Sequence, residues 1–351
     1  GRDMRIAQVA PLHESVPPHR YGGTERVVSY LTEELVRQGH EVTLYASGDS
    51  STRARLVPGC RRSLRLDTAC LDPLSHHVLM LERVFQRAAS FDIVHFHVEY
   101  LHFPFARARP IPHVGTLHGR LDLPELHPLF DEYRDMPLVS ISRSQRTPLP
   151  ALNWQAVVHH GLPPERYRFH PDRGDYLAFL GRISPEKRVD RAIDIATRAG
   201  LPLRVAAKVD RADREYFENV IEPLLDAPGV EYIGEIGDEE KSDFLGNARA
   251  LLFPIDWPEP FGLVMIEAMA CGTPVIAYRN GSVPEVVEHG ATGFVVERRE
   301  DAIAAVRSAV SLSRARCRET FERRFTVQRM ARDYLHLYER LAEAMPHAST
   351  A

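Results

Sequence analysis

The feature that most constrains this chain is a rhythm that runs, stops once and starts again: short Val/Ile/Leu-rich runs alternate with segments of helical period. Apolar runs of this kind suit strands buried on both faces, so the alternation predicts β-α-β units around a parallel sheet and an α/β fold class. In the first half the predicted strands are Arg5 to Ala10, Glu41 to Ala46, Ile93 to Phe96, Val114 to Leu117 and Leu138 to Ile141. A helix from about Thr24 follows the first of them, with Val27, Val28, Leu31, Leu35 and Val36 on one face and Gly39 as its stop. His159 to Asp175 holds Pro163, Pro164, Pro171 and many charges, and reads as a linker. The rhythm resumes with Tyr176 to Leu180, a helix from about Pro185, and strands Leu203 to Ala207, Val230 to Ile233, Ala250 to Phe253, Val275 to Ala277 and Phe294 to Glu297. Met330, Tyr334, Leu337, Tyr338 and Leu341 recur at helical spacing, which predicts an amphipathic C-terminal helix from Val327 to Met345. A length of 351 residues agrees with two domains at roughly 150 residues each.

Composition excludes several partners. With 44 basic and 48 acidic residues the net charge is −4, so no overall cationic excess draws nucleic acid or anionic lipid. Only Lys187, Lys208 and Lys241 are lysines; the other basic residues are arginines. Gly1-Arg2-Asp3 before Met4 reads as a cloning remnant, and no signal sequence is expected before the first strand. The longest apolar stretch, Gly262 to Tyr278, is broken by Glu267 and falls short of the roughly 18 residues of a membrane span. Cys60, Cys70, Cys271 and Cys317 form no Cys-x-x-Cys, so a cytoplasmic location is expected and structural zinc is not.

Three segments carry candidate chemistry. In Gly181-Arg182-Ile183-Ser184-Pro185-Glu186-Lys187 a strand ends, Ser184 is placed to cap the next helix and Pro185 fits its first turn. N–H groups there, flanked by Arg182 and Lys187, would cradle a diphosphate without a Walker sequence. In Pro258-Glu259-Pro260-Phe261-Gly262-Leu263-Val264-Met265-Ile266-Glu267 the prolines hold Glu259 out of a helix that Gly262 opens. Glu259 can then face a sugar, Glu267 a ribose diol, and the Gly262 and Leu263 N–H groups its oxygens. Tyr21-Gly22-Gly23-Thr24 allows close backbone approach to a ligand, with Thr24 as a cap. The absent Gly-x-Gly-x-x-Gly argues against a nicotinamide dehydrogenase, the absent Gly-x-Ser-x-Gly against an α/β-hydrolase, and the absent Asp-x-Asp against a metal-bridged nucleotide-sugar site. His95, His97 and Glu99 alternate as metal ligands could, but a strand end explains them as well. His118, in Thr116-Leu117-His118-Gly119, ends a strand and is the histidine to single out.

In this order and combination, these segments resemble the retaining glycosyltransferases of the GT-B fold, family 4, nearly end to end. The resemblance implies two Rossmann-like domains facing each other across a cleft: residues 1–165, joined by the C-terminal helix of about 327–351, and a donor domain of residues 166–326. It assigns the diphosphate to Arg182 and Lys187, the ribose to Glu267, and the transferred sugar to Glu259 with the Phe261-Gly262-Leu263-Val264 segment. Gly22 and Gly23 would approach the phosphate and His118 the sugar. Gly234-Glu235-Ile236-Gly237-Asp238-Glu239-Glu240-Lys241 is similar to the family's base-binding turn, with Ile236, Asp238 and Lys241 in a spacing like that of enzymes using GDP-mannose. Two departures stand out. Many relatives have Asn-Gly where this chain has His160-Gly161, and membrane-acting relatives often carry a basic-apolar helix whose nearest counterpart, Arg61, Arg62 and Arg65, lacks apolar company.

The expected activity is therefore metal-independent, cofactor-free transfer of a hexose, mannose ahead of glucose, from a nucleotide diphosphate sugar to a hydroxyl of a saccharide or small acceptor. Retention would follow from front-face attack or from a covalent intermediate on Glu259. The alternatives are a GT-B-fold epimerase or hydrolase of the nucleotide sugar, and a non-catalytic sugar-nucleotide-binding subunit.

Overall fold

The computed structural model describes residues 2–345 and residue 347. The chain divides into two compact units: residues up to Gly161 together with those from Val327 on, and Leu162–Thr326. Each contains one parallel sheet. The first has strands β1 (Arg5–Val9), β2 (Glu41–Ser47), β3 (Arg55–Cys60), β4 (Ile93–Phe96), β5 (His113–Leu117), β6 (Leu138–Ser140) and β7 (Trp154–Val157), in the order β3-β2-β1-β4-β5-β6-β7. The second has β8 (Tyr176–Arg182), β9 (Leu203–Lys208), β10 (Val230–Gly234), β11 (Ala248–Phe253), β12 (Val275–Tyr278) and β13 (Gly293–Val296), in the order β10-β9-β8-β11-β12-β13. Both sheets are Rossmann-like: three successive strands run outward on one side, and the chain then crosses back to place the fourth beside the first.

The helices follow the apolar stripes. Gly23–Arg37 buries Val27, Val28, Leu31 and Leu35, and Gly39 (φ 94°) supplies the left-handed residue that ends the run. The C-terminal helix, Val327–Ala344, buries Met330, Tyr334, Leu337, Tyr338 and Leu341 and packs on the first helix, β4 and β5 of its own unit. Pro346 and residues 348–351 of the expected helix, like Gly1 of the expected remnant, lie outside the described residues.

Three expectations need correction. The stretch read as a linker is largely built into the second unit: Tyr167 and His170 are buried, His170 N–H donates to the Cys271 carbonyl (2.9 Å), and Arg318 donates to the Tyr167 carbonyl (2.6 Å). No helix starts at Pro185. Pro185–Lys187 is a single 3-10 turn, Arg188 turns left-handed (φ 58°) with its guanidinium held by Asp190 and Asp256 (3.0 and 3.1 Å), and the helix begins at Val189. The arginines Arg61, Arg62 and Arg65 do have apolar company, since Leu66, Leu71, Leu74, Val78 and Leu79 are all exposed in the stretch that follows. No helix among the described residues is long and apolar enough to cross a membrane.

Candidate active site

In an open parallel sheet, ligands bind beyond the carboxyl ends of the strands where strand order reverses. In the second unit that place lies between β8 and β11, which are hydrogen-bonded neighbours. Arg182 ends β8, Lys187 lies in the turn after it and Glu259 follows β11, so tertiary structure joins two of the sequence segments. Lys187 Nζ is 2.8 Å from Glu259 Oε2, and the two side chains are only 12% and 10% exposed. The ammonium also sits over the rings of Phe253 (5.6 Å) and Trp257 (5.4 Å), two cation–π contacts. Asp256 N–H donates to the Glu186 carbonyl (2.9 Å), which ties the loop after β11 to the turn after β8.

A glycine that sequence reading missed holds Glu259 in place. Gly281 has φ +56°, and a Cβ there would lie 2.3 Å from both the nitrogen and the carbonyl oxygen of Glu259. Only glycine lets the turn pass so close. Ser282 completes the clamp, its N–H donating to the Glu259 carbonyl (3.0 Å) and its hydroxyl to the Phe261 carbonyl. The Asn280-Gly281-Ser282 run after a strand was the available signal.

Beyond Glu259, Gly262 (φ +90°) is the cap of the helix Leu263–Ala270, with no side-chain capping bond. The first-turn N–H groups of Leu263 and Val264 therefore point out of the helix at a half-buried position. The Phe261 ring is buried against Phe325 (6.2 Å), so it anchors the loop and leaves only its backbone for a ligand. One and a half turns in, Glu267 is buried, accepts the Tyr167 hydroxyl proton at Oε2 (2.6 Å) and lies 3.5 Å from Lys241 Nζ. Lys241 in turn pairs with Asp238 (3.3 Å). Asp238 opens the helix Asp238–Gly246, so the expected base turn is the segment Gly234–Gly237 followed by a first helical turn, with Ile236 buried beneath it. Arg182 pairs with Glu186 (2.9 Å), and Lys208, its register partner on β9, with Asp210 (3.1 Å).

In the first unit Gly22 is the helix cap and Gly23 its exposed first residue; Thr24 lies inside the helix and caps nothing, contrary to expectation. A Cβ at Gly22 would press on Pro18 (3.0 Å) and on the Glu25 carboxyl (3.2 Å). Burial pushes that carboxyl up to about 7. His118 follows β5, half-buried, and its N–H donates to Glu99 Oε1 (2.8 Å). Glu99 is left-handed (φ 54°), and burial pushes it up to about 7 against the backbone N–H bonds of His118 and Gly119. Burial lowers His118 to about 4 and holds His95 and His97 well below the ordinary histidine range. The ring nitrogens of His95 bond Tyr338 (2.5 Å) and Thr116 (2.6 Å), and those of His97 bond Gln8 (2.7 Å) and His118 (3.1 Å). Their alternation on the strand thus serves a buried hydrogen-bond network, and no group of three or more His, Cys, Asp or Glu suited to a metal occurs among the described residues. His160 stacks on His118 (5.6 Å, 19°) and its carbonyl accepts from Arg329 (2.9 Å).

Comparison with known proteins matches residues 21–171 to the model described as Glycosyltransferase Family 4 and residues 166–324 to Glycosyl transferases group 1. An uncharacterized glycosyltransferase of Methanocaldococcus jannaschii is 25% identical, covering 86% of this chain and 87% of its own. Among solved structures, AviGT4, a glycosyltransferase involved in avilamycin A biosynthesis, superposes with a TM-score of 0.72 at 25% identity, over 97% of this chain and 98% of that one. The Anabaena HepE structure in complex with UDP-glucose gives 0.72 at 18% identity, over 96% and 100%.

Proposed function

Because this chain belongs to the family-4 glycosyltransferases of GT-B fold, we propose that it moves a hexosyl group from a nucleoside diphosphate sugar to a hydroxyl of a saccharide or small acceptor, with retention and without a metal. The observation that carries the reading is the buried Lys187–Glu259 pair beyond the central strands of the second unit. A buried ammonium beside a strand end meets the negative charge that grows on a leaving diphosphate, and stabilising charge that develops only in the transition state raises kcat. Arg182 is the second cation, Glu267 the ribose acceptor, and Glu259 with the Gly262, Leu263 and Val264 backbone holds the sugar. Gly22, Gly23 and His118 of the first unit are assigned to the same donor by resemblance.

GDP-mannose is proposed first and UDP-glucose second. Guanine offers adjacent N–H donors that the Asp238 carboxylate accepts together, whereas uracil offers one. The UDP-glucose bound by the Anabaena structure supports the second donor. A thermal-shift panel of GDP-, UDP- and ADP-sugars tests the order, since a bound donor stabilises by mass action. Product anomers read by NMR test retention. Donor consumption with and without acceptor separates transfer from epimerisation or hydrolysis: acceptor-independent turnover would overturn the transferase reading of this chain.

A further inference from the structure

The first unit contains an uncharged relay whose direction is set by one amide. Gln8 on β1 is fully buried; its amide nitrogen donates to the Tyr338 hydroxyl on the C-terminal helix (2.7 Å), which turns its carbonyl oxygen toward His97 Nε2 (2.7 Å). A carbonyl oxygen only accepts, so His97 carries its proton on Nε2. A neutral imidazole has a single N–H, which leaves His97 Nδ1 as a bare acceptor. His97 Nδ1 lies 3.1 Å from His118 Nε2, so that bond exists only with the His118 proton on Nε2. Both rings are held neutral by burial. The Tyr338 hydroxyl, with its own proton free to go to His95 Nδ1 (2.5 Å), accepts the Gln8 amide without conflict.

We propose that Gln8 and His97 are positioning residues that fix His118 in the Nε2–H tautomer, so that its Nδ1 lone pair is offered to a hydroxyl of the transferred sugar. The proposal rests on the reading of His118 as a sugar contact and deepens it. A bare ring nitrogen accepts from a hydroxyl and cannot donate to one, so the relay selects for a hydroxyl at that position of the sugar over a group that only accepts. The Glu99 carboxylate fixes the backbone of the same residue, and the relay fixes its ring.

The test is a two-bond proton–nitrogen correlation spectrum of the full chain labelled with 15N-histidine, the His118 signals being assigned by their loss in His118→Ala. The expected result is a protonated Nε2 and an unprotonated Nδ1. In Gln8→Leu the His118 signals should move toward a tautomer average, with kcat down about tenfold and the donor KM changed by less than about threefold, as for partners that orient a functional histidine. A proton on Nδ1 in the wild-type spectrum overturns the proposal without any variant having to fold. An unchanged tautomer in Gln8→Leu, or a shifted tautomer with unchanged kcat while His118→Ala loses turnover, also overturns it. Unchanged kcat in His118→Ala would instead refute the sugar contact and leave the tautomer assignment standing on its spectrum.

Discussion

The candidate residues of the two units are built on opposite electrostatic plans. In the second unit they are ions whose charges are matched at short range: Lys187 with Glu259, Lys241 with Glu267 and Asp238, Arg182 with Glu186. In the first they are rings and amides stripped of charge, with His95, His97 and His118 held neutral and linked through Gln8, Thr116, Tyr334 and Tyr338. Burying an ion is costly unless it is paired, whereas a neutral network costs little once every donor meets an acceptor. Under the proposed function this contrast corresponds to a division of labour in which the ions of the second unit meet the diphosphate and the neutral ring of His118 meets a sugar hydroxyl.

The largest effect should come from breaking the ionic plan. Glu259→Ala removes the partner of a nearly buried ammonium as well as the proposed sugar contact, and kcat/KM should fall roughly 10²–10³-fold; steady-state kinetics showing a change under threefold would break the comparison at its stronger side. Next, Gly281→Ala places a methyl group 2.3 Å from the Glu259 backbone at φ +56°. The loop must shift, and a displacement of this kind should cost up to about 100-fold in kcat/KM with the melting temperature lowered only modestly.

The neutral plan predicts an acid weakness confined to one unit. His95, His97, His102, His113, His118 and His160 all have lowered values in the folded chain, His118 to about 4, against 6.5 in the unfolded one. The unfolded state therefore binds more protons as pH falls below about 6.5, and stability is lost from there toward 4. Glu25 and Glu99, raised from 4.5 to about 7, act in the opposite sense: their contribution is full below 4.5 and lost as pH rises through 7. Hydrogen exchange corrected for intrinsic rates should show β4 and β5 losing protection at pH 5 relative to pH 7 before β8 and β9 do; equal losses would contradict the contrast. The smallest effect is Tyr167→Phe, which deletes one bond to Glu267 while Lys241 remains, and should raise the donor KM about fivefold, in line with a net hydrogen bond of about 1 kcal/mol.

What sequence could and could not show follows the same physics. The strands of the two sheet centres are legible because burial on both faces makes them continuous apolar runs. Two edge strands, β3 and β7, escaped notice: Arg55–Cys60 contains Pro58 and Gly59, and Trp154–Val157 is short and half-buried, so neither has an unbroken apolar pattern. The Glu259 to Glu267 spacing is legible because a loop and one helix set it locally. The Lys187–Glu259, Tyr167–Glu267 and Gln8–Tyr338 bonds join residues 72, 100 and 330 apart, and no local pattern announces them. Arg188 shows another limit: nothing in Pro185-Glu186-Lys187-Arg188 says that the fourth residue turns left-handed, so a helix was expected where a single turn stands.

The account turns on the proposal that Lys187, nearly buried against Glu259, grips the diphosphate of the donor. Isothermal titration of wild type and Lys187→Ala, each with the nucleoside diphosphate that the donor panel selects and with its parent nucleoside, tests it most directly. Wild type should bind the diphosphate at least about 100-fold more tightly than the nucleoside, a difference near 2.7 kcal/mol, and Lys187→Ala should lose most of that margin while binding the nucleoside as before. A Lys187→Ala protein that binds the diphosphate as tightly as wild type would contradict the account.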